Sequence, residues 1–243
     1  MTTEKTGKKR DMKNWNKLCR TYGRLLGLTA VACPLSVLML ASCEMDSYDK
    51  GEGEYSLMTA ELVDAHVGSD KYVDYVDTDQ GDHLNIDPHF TMKWIDTADT
   101  TYRAILYYNQ SEAGKANAVS MSRVGVLTPL DSVKGGAKTD PIHIESVWMS
   151  GNRKYLNLRM RLMTGATDDE EARQRIGLLN DLEASTKNHA ALLLCHDQGG
   201  QPEYYSATSY ASIPLSDIKA DTLTLSINTY DGMMTRTYVI PHI

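Results

Sequence analysis

Beyond Tyr55 the apolar residues recur at alternate positions rather than at helical spacing, which predicts β-strands. Met58, Ala60 and Leu62 alternate with polar neighbours, and Val63, Ala65 and Val67 continue in the opposite phase. A phase change inside one long strand predicts a β-bulge, the device that bends the first strand of a small barrel. Residues 72–77 form a short strand, Gly81-Asp82 a turn, and residues 83–86 a strand that pairs back. Residues 102–108 are aromatic and branched, and residues 118–126 form another strand with a phase change between Met121 and Val124. Five short strands over this stretch predict a small OB-like barrel at residues 55–127.

Residues 128–141, with Pro129, Gly135, Gly136 and Pro141, read as the linker to a second domain at 128–243. Residues 142–149 form a strand with a slip. Leu156, Leu158, Met160 and Leu162 then alternate with Asn157, Arg159 and Arg161, a half-buried strand. Residues 190–195 are an unbroken apolar run, expected as a central strand. Ser209, Ala211, Ile213 and Leu215 alternate, as do Leu223, Leu225 and Ile227. Asp231-Gly232 is a hairpin turn into residues 235–240. Antiparallel strands with one wet face predict a β-sandwich. One helix is expected to interrupt it near residues 168–184. Thr167-Asp168-Asp169-Glu170 has the form of a capping box, and Ala172, Ile176, Leu179 and Leu182 then share a helical face. The fold class expected is mainly β: a small OB-like barrel followed by an antiparallel sandwich with one inserted helix.

The first 42 residues follow a different pattern. Residues 1–24 are polar and basic, and residues 25–40 are apolar and uncharged, a run that contains Pro34. This is the layout of a signal peptide, and the run is shorter than the roughly 20 residues a spanning helix needs. Leu40-Ala41-Ser42-Cys43 has the form of a lipobox, with cleavage between Ser42 and Cys43 and lipid on the Cys43 thiol. Two or three acyl chains anchor firmly where one binds marginally. Met1 and Met12 are both candidate starts, and the processed product is the same. Residues 43–54, with Glu44, Asp46, Asp49, Gly51 and Gly53, read as a flexible acidic tether.

Charge changes the picture once the leader is set apart. Removing the 8 basic and 2 acidic residues of 1–42 from the chain's 25 and 32 leaves residues 43–243 with a formal charge of −13. That sign argues against nucleic acid, whose phosphates need a basic face. Cys19 and Cys33 lie in the leader, so acylation of Cys43 leaves Cys195 alone. No disulfide framework is then available, and burial must hold the fold.

The layout resembles the NigD-like lipoproteins of Bacteroidota. The resemblance rests on Leu40-Ala41-Ser42-Cys43, on the run 55–64 (YSLMTAELVD), on Asp140-Pro141-Ile142, on Val147-Trp148 and on Tyr155-Leu156-Asn157-Leu158. It implies an envelope location, an N-terminal OB-like barrel and a C-terminal β-sandwich. It implies no reaction and carries over no catalytic residues. The acidic residues after Cys43 resemble the signal for the outer face of the outer membrane, and equally suit a solvated tether.

No catalytic constellation stands out. His83, His89, Asp82 and Asp87 share a short stretch, but their spacing fits no known zinc motif, and no metal or cofactor is expected. Asp64 with His66, and His143 with Glu145, would each share a strand face, as chance pairs on a wet sheet do. Cys195-His196-Asp197 places a thiol beside a base, yet adjacent strand residues face opposite ways, so Cys195 reads as a core thiol. No nucleophile elbow, phosphate loop or dinucleotide fingerprint is present. Tyrosines are the better binding candidates: Tyr102, Tyr107 and Tyr108 in the first domain, and Tyr204, Tyr205 and Tyr210 in the second. Exposed on a sheet face they can stack on sugars or contact peptides, although Tyr is more often half-buried core.

The function expected is a membrane-anchored, non-enzymatic binding or assembly module of the envelope, held by lipid on Cys43 and meeting a protein or glycan. The alternative is a hydrolase of an envelope or dietary polymer, using carboxylates such as Asp87 and Glu145. Feeding cells an alkyne analogue of palmitate should label the wild-type chain. Cys43→Ser should lose the label and leave the membrane fraction; a labelled, membrane-bound serine variant would contradict the lipobox reading.

Overall fold

The computed structural model describes residues 58–133 and 136–241. The expected signal peptide (1–42), the cleavage pair Ser42 and Cys43, the tether (43–54) and residues 55–57 lie outside the described residues. Among the described residues no helix is long and apolar enough to cross a membrane.

The first five strands are β1 (Thr59–Val67), β2 (Val73–Thr78), β3 (His83–Phe90), β4 (Thr100–Glu112) and β5 (Lys115–Arg123). They close into a barrel in the order β1-β2-β3-β5-β4. Closure is completed by a short parallel pairing of Asn85 with Lys115 and Ile86 with Ala116. Val63, Ala65, Val76, Ala104, Leu106 and Met121 fill its interior. The bulge expected between Leu62 and Val63 is not there: β1 pairs with β4 without a break from Thr59 to Val67. The phase change has another cause. Val63 and Ala65 face the barrel interior, while Leu62 and Asp64 face outward and are buried all the same. One strand is covered on both sides. The phase change at Val124 has the same origin, because Met121 belongs to the barrel core and Val124 packs with Leu62 and Ile105 outside it.

The remaining strands are β6 (Gly125–Val126), β7 (Pro129–Leu130), β8 (His143–Met149), β9 (Tyr155–Thr164), β10 (Arg175–Asn180), β11 (His189–Asp197), β12 (Tyr205–Pro214), β13 (Thr222–Thr229) and β14 (Gly232–Val239), with a 3-10 turn at Leu215–Asp217. They form two sheets, β14-β13-β11-β10-β7 and β6-β12-β9-β8. Leu156, Leu158, Met160, Ile213, Leu223 and Leu225 meet between them. The apolar run at 190–195 lies in β11, at the centre of its sheet as expected. It pairs in parallel with β13, so that sheet is mixed. The slip expected in residues 142–149 is a register shift between Ile144 and Ser146.

The helix expected near 168–184 is absent, and a strand, β10, takes its place. Thr167 Oγ1 accepts from the Asp169 N–H, and Asp169 Oδ1 accepts from the Glu171 N–H, so the apparent capping box makes local turns. Gly177 weakens a helix here. The pairing edge of β11 decides the outcome, since β10 satisfies it from Arg175–Asp197 to Asn180–Leu192. Leu178 is buried, whereas Leu182, expected on the apolar face, is exposed.

Barrel and sandwich are joined through Arg103 of β4. Its guanidinium is buried. Nη2 donates to both oxygens of Asp79 at 2.7 and 2.8 Å and to Asn157 Oδ1 at 3.1 Å. Nη1 donates to Asp64 Oδ1 at 3.3 Å, and Nε to Ser212 Oγ at 3.0 Å. Its carbon lies 4.0 Å from the Tyr155 ring centroid. Asn157 and Ser212, fully buried, belong to the sandwich, and Asn157 also donates to Asp79 at 2.7 Å. Lys154 lies 3.6 Å from the second oxygen of Asp64, so two carboxylates face two cations. Burial and the Asp64 charge push the Tyr155 hydroxyl up to about 12, keeping it neutral. The backbone adds a second seam, with the Asn152 N–H donating to the Asp79 carbonyl at 2.7 Å. Arg103→Met should cost about 3–5 kcal/mol in urea unfolding, because it strands two buried carboxylates. Adding Asp79→Asn should return part of that loss; full stability in Arg103→Met alone would contradict the assignment.

Candidate ligand groove between barrel and sandwich

The same strands that hold Arg103 build a groove one pleat further out. On the barrel, Asp64 pairs with Arg103, then Leu62 with Ile105, then Ala60 with Tyr107. On the sandwich, Trp148 pairs with Asn157 and Asn157 with Ser212, then Ser146 with Arg159 and Arg159 with Tyr210. Side chains two apart on a strand share a face. Moving two residues along each strand therefore leads from a sealed polar cluster to an open aromatic one. The groove has two lobes of about 560 Å³ each, which share Ile105, Tyr107, Arg159 and Tyr210. Leu62, Ile105 and Val124 form an apolar floor against which Tyr107, Trp148 and Tyr210 pack half-buried.

Its charged side chains have partners within the protein. Arg159 Nε lies 2.6 Å from Glu145 Oε2, and Arg161 holds the other oxygen at 3.1 Å. The Arg159 guanidinium lies 5.9 Å from the Tyr210 ring. Tyr108 donates to Glu61 at 2.8 Å, and burial together with that carboxylate pushes the Tyr108 hydroxyl up. Arg123 lies 5.3 Å from the Tyr102 ring.

Of the six tyrosines singled out from sequence, Tyr107 and Tyr210 come together here. Tyr102 is in the barrel core, donating to Asp96 at 2.8 Å. That bond is the main reason the Asp96 carboxyl sits below its usual value. Tyr108 is buried, while Tyr204 and Tyr205 are exposed and line neither lobe. Trp148, Arg159, Leu62 and Ile105 were not singled out. Leu62 carried a signal in its change of phase, and Arg159 in its place on the wet side of a clear strand.

The other candidates go elsewhere. Asp87 lies 3.8 Å from Lys115, and Glu145 is held by the two arginines, so these carboxylates do not converge. Cys195 is buried, which pushes its thiol up, and its Sγ donates to the Leu193 carbonyl. His196 is engaged separately, with Nδ1 3.1 Å from the Asp140 carbonyl and Nε2 3.3 Å from Gln174 Oε1. Asp64 serves Arg103, while its strand neighbour His66 meets Asp77 Oδ2 at 3.0 Å. His143 stacks on Tyr230. His83 meets the other Asp77 oxygen at 2.8 Å, with the Tyr75 ring against both imidazoles. Burial raises the Asp77 carboxyl, and the hydrogen bonds from His83 and His66 more than offset this, leaving it below its usual value. His89 lies against Tyr72, apart from His83. Among the described residues no group of three or more His, Cys, Asp or Glu is placed to hold a metal ion.

Comparison with known proteins matches the sandwich to a domain family. Residues 126–241 match the NigD-like C-terminal beta sandwich domain. No curated protein sequence matches the chain. Three solved structures share the fold. A NigD-like immunity protein from Bacteroides caccae is 23% identical with a TM-score of 0.58, covering 75% of this chain and 97% of its own. A protein of unknown function from Bacteroides vulgatus is 19% identical with a TM-score of 0.56, covering 76% and 92%. A candidate lipoprotein from Bacteroides fragilis is 14% identical with a TM-score of 0.52, covering 76% and 98%. At these identities the likeness is one of fold, and it spans barrel and sandwich together. Residues 126–241 therefore match a NigD-like C-terminal β-sandwich domain, and the described residues as a whole share their fold with a NigD-like protein.

Proposed function

We propose that this chain is a lipid-anchored protein of the cell envelope, in the outer membrane, whose barrel and sandwich together bind a partner without turning it over. The observation that carries this reading is the groove itself. Its aromatic side chains are set on two sheets that Arg103 holds in fixed register, so the groove is formed before any ligand arrives. Its ionised groups are spent on partners within the protein, an arrangement suited to recognition rather than to proton transfer.

The anchor rests on the basic leader, the apolar run and Leu40-Ala41-Ser42-Cys43, with the acidic stretch after Cys43 as the sorting signal. The names of the Bacteroides caccae and Bacteroides fragilis proteins, an immunity protein and a candidate lipoprotein, accord with binding at a membrane surface. The hydrolase reading needs two carboxylates converging in a cleft; Asp87 and Glu145 are held in separate ion pairs, and Asp64 and Asp79, which do come together, are buried on Arg103.

Affinity capture from host envelope membranes tests the binding role. The full chain should enrich a protein or glycan that a Tyr107→Ala/Trp148→Ala variant, shown to fold by its unfolding midpoint, does not. Equal recovery by both proteins, or nothing enriched by either, would overturn it.

A further inference from the structure

We propose that the groove takes an uncharged oligosaccharide. This rests on the groove being the binding site, and it adds the chemical class of the occupant. The ionised side chains are engaged: Arg159 by Glu145, Glu61 by Tyr108, Asp79 by Arg103 and Asn157, and Arg123 over the Tyr102 ring. The neutral polar groups are not. Among the described residues none hydrogen-bonds the hydroxyls of Tyr107, Tyr210, Ser122 and Ser146, the Trp148 indole N–H or the Gln80 amide. These groups offer donors and acceptors without net charge, interleaved with three aromatic rings.

That mixture fits a sugar. A pyranose carries hydroxyls around its rim and apolar C–H faces above and below, so it can stack on a ring and hydrogen-bond at its edge in one pose. An anionic ligand would share the Arg159 guanidinium with Glu145, 2.6 Å from its Nε, and would approach a body of formal charge −13. An extended peptide gains most of its affinity from strand pairing. Here Leu62, Ile105 and Arg159 stand on β1, β4 and β9, each with a neighbour on both sides, while β12, which carries Tyr210, is paired by β6 only at Ala211 and Ser212. Of that sheet's two edges, β6 is only two residues long and lends the groove Gly125, and β8 lends it the side chains of Ser146 and Trp148. Two lobes divided by Tyr107 and Tyr210 suit a chain of sugar units laid across that ridge.

The full chain, in detergent, should be screened on an array of neutral gluco-, galacto-, manno- and xylo-oligosaccharides, with sulfated and uronate-bearing glycans and immobilised peptides alongside. At least one neutral glycan should bind, with affinity changing less than about twofold between about 50 and 500 mM NaCl. Trp148→Ala and Tyr107→Ala should each weaken it by about tenfold, and Met233→Ala, exposed on β14, should leave it unchanged. If one of the two groove variants fails to fold, the other carries the same expectation. Binding only to peptides or charged glycans, lost in the groove variants, would overturn the sugar and keep the groove. Binding that both variants retain would overturn the groove and the sugar with it. Binding to no member of the array would overturn the sugar.

Discussion

A single buried guanidinium organises this protein. Arg103 is removed from water at the seam between barrel and sandwich, and a lone cation there would be untenable. It is kept by five directed hydrogen bonds to groups from both halves and by the face of Tyr155. A carboxylate fork, an amide and a hydroxyl accept only from fixed directions, so the two halves are set in angle as well as held together. Apolar contact alone would leave them freer to slide. The polar cluster is also why both sheets turn a wet face toward one another and then open, one pleat later, into the groove.

Much of the architecture was legible in the spacing of apolar residues. Strands such as β9 and β13 have one buried and one polar face, and period-two alternation follows directly from that. Reading failed where burial came from outside the element. β1 looked broken because its outward residues Leu62 and Asp64 are covered by the sandwich, so both phases are buried. β10 looked helical because Ala172, Ile176, Leu179 and Leu182 happen to fall at helical spacing. Its true state is set by the open edge of β11, a long-range demand that no local window contains.

The groove was half legible for the same reason. Tyr107 and Tyr210 are noticeable as aromatic residues on strands, but nothing in their immediate neighbours separates them from Tyr102 or Tyr108. What separates them is which face meets the other domain. Trp148 lies on a strand whose register shifts between Ile144 and Ser146, so its facing could not be counted along the chain. Arg103 gave no sign at all: a single basic residue between Tyr102 and Ala104 reads as the solvent side of a strand.

Arg103 makes barrel and sandwich one folding body, which unfolding watched separately from each half will reveal. With Trp15 replaced by Phe, single-tryptophan chains keep either Trp94, packed edge-on to Tyr102 in the barrel, or Trp148, in the sandwich. Urea transitions followed by the two fluorophores should coincide in midpoint and slope. Two separate transitions, with the barrel and the sandwich melting at different urea concentrations while Arg103 is intact, would contradict the account.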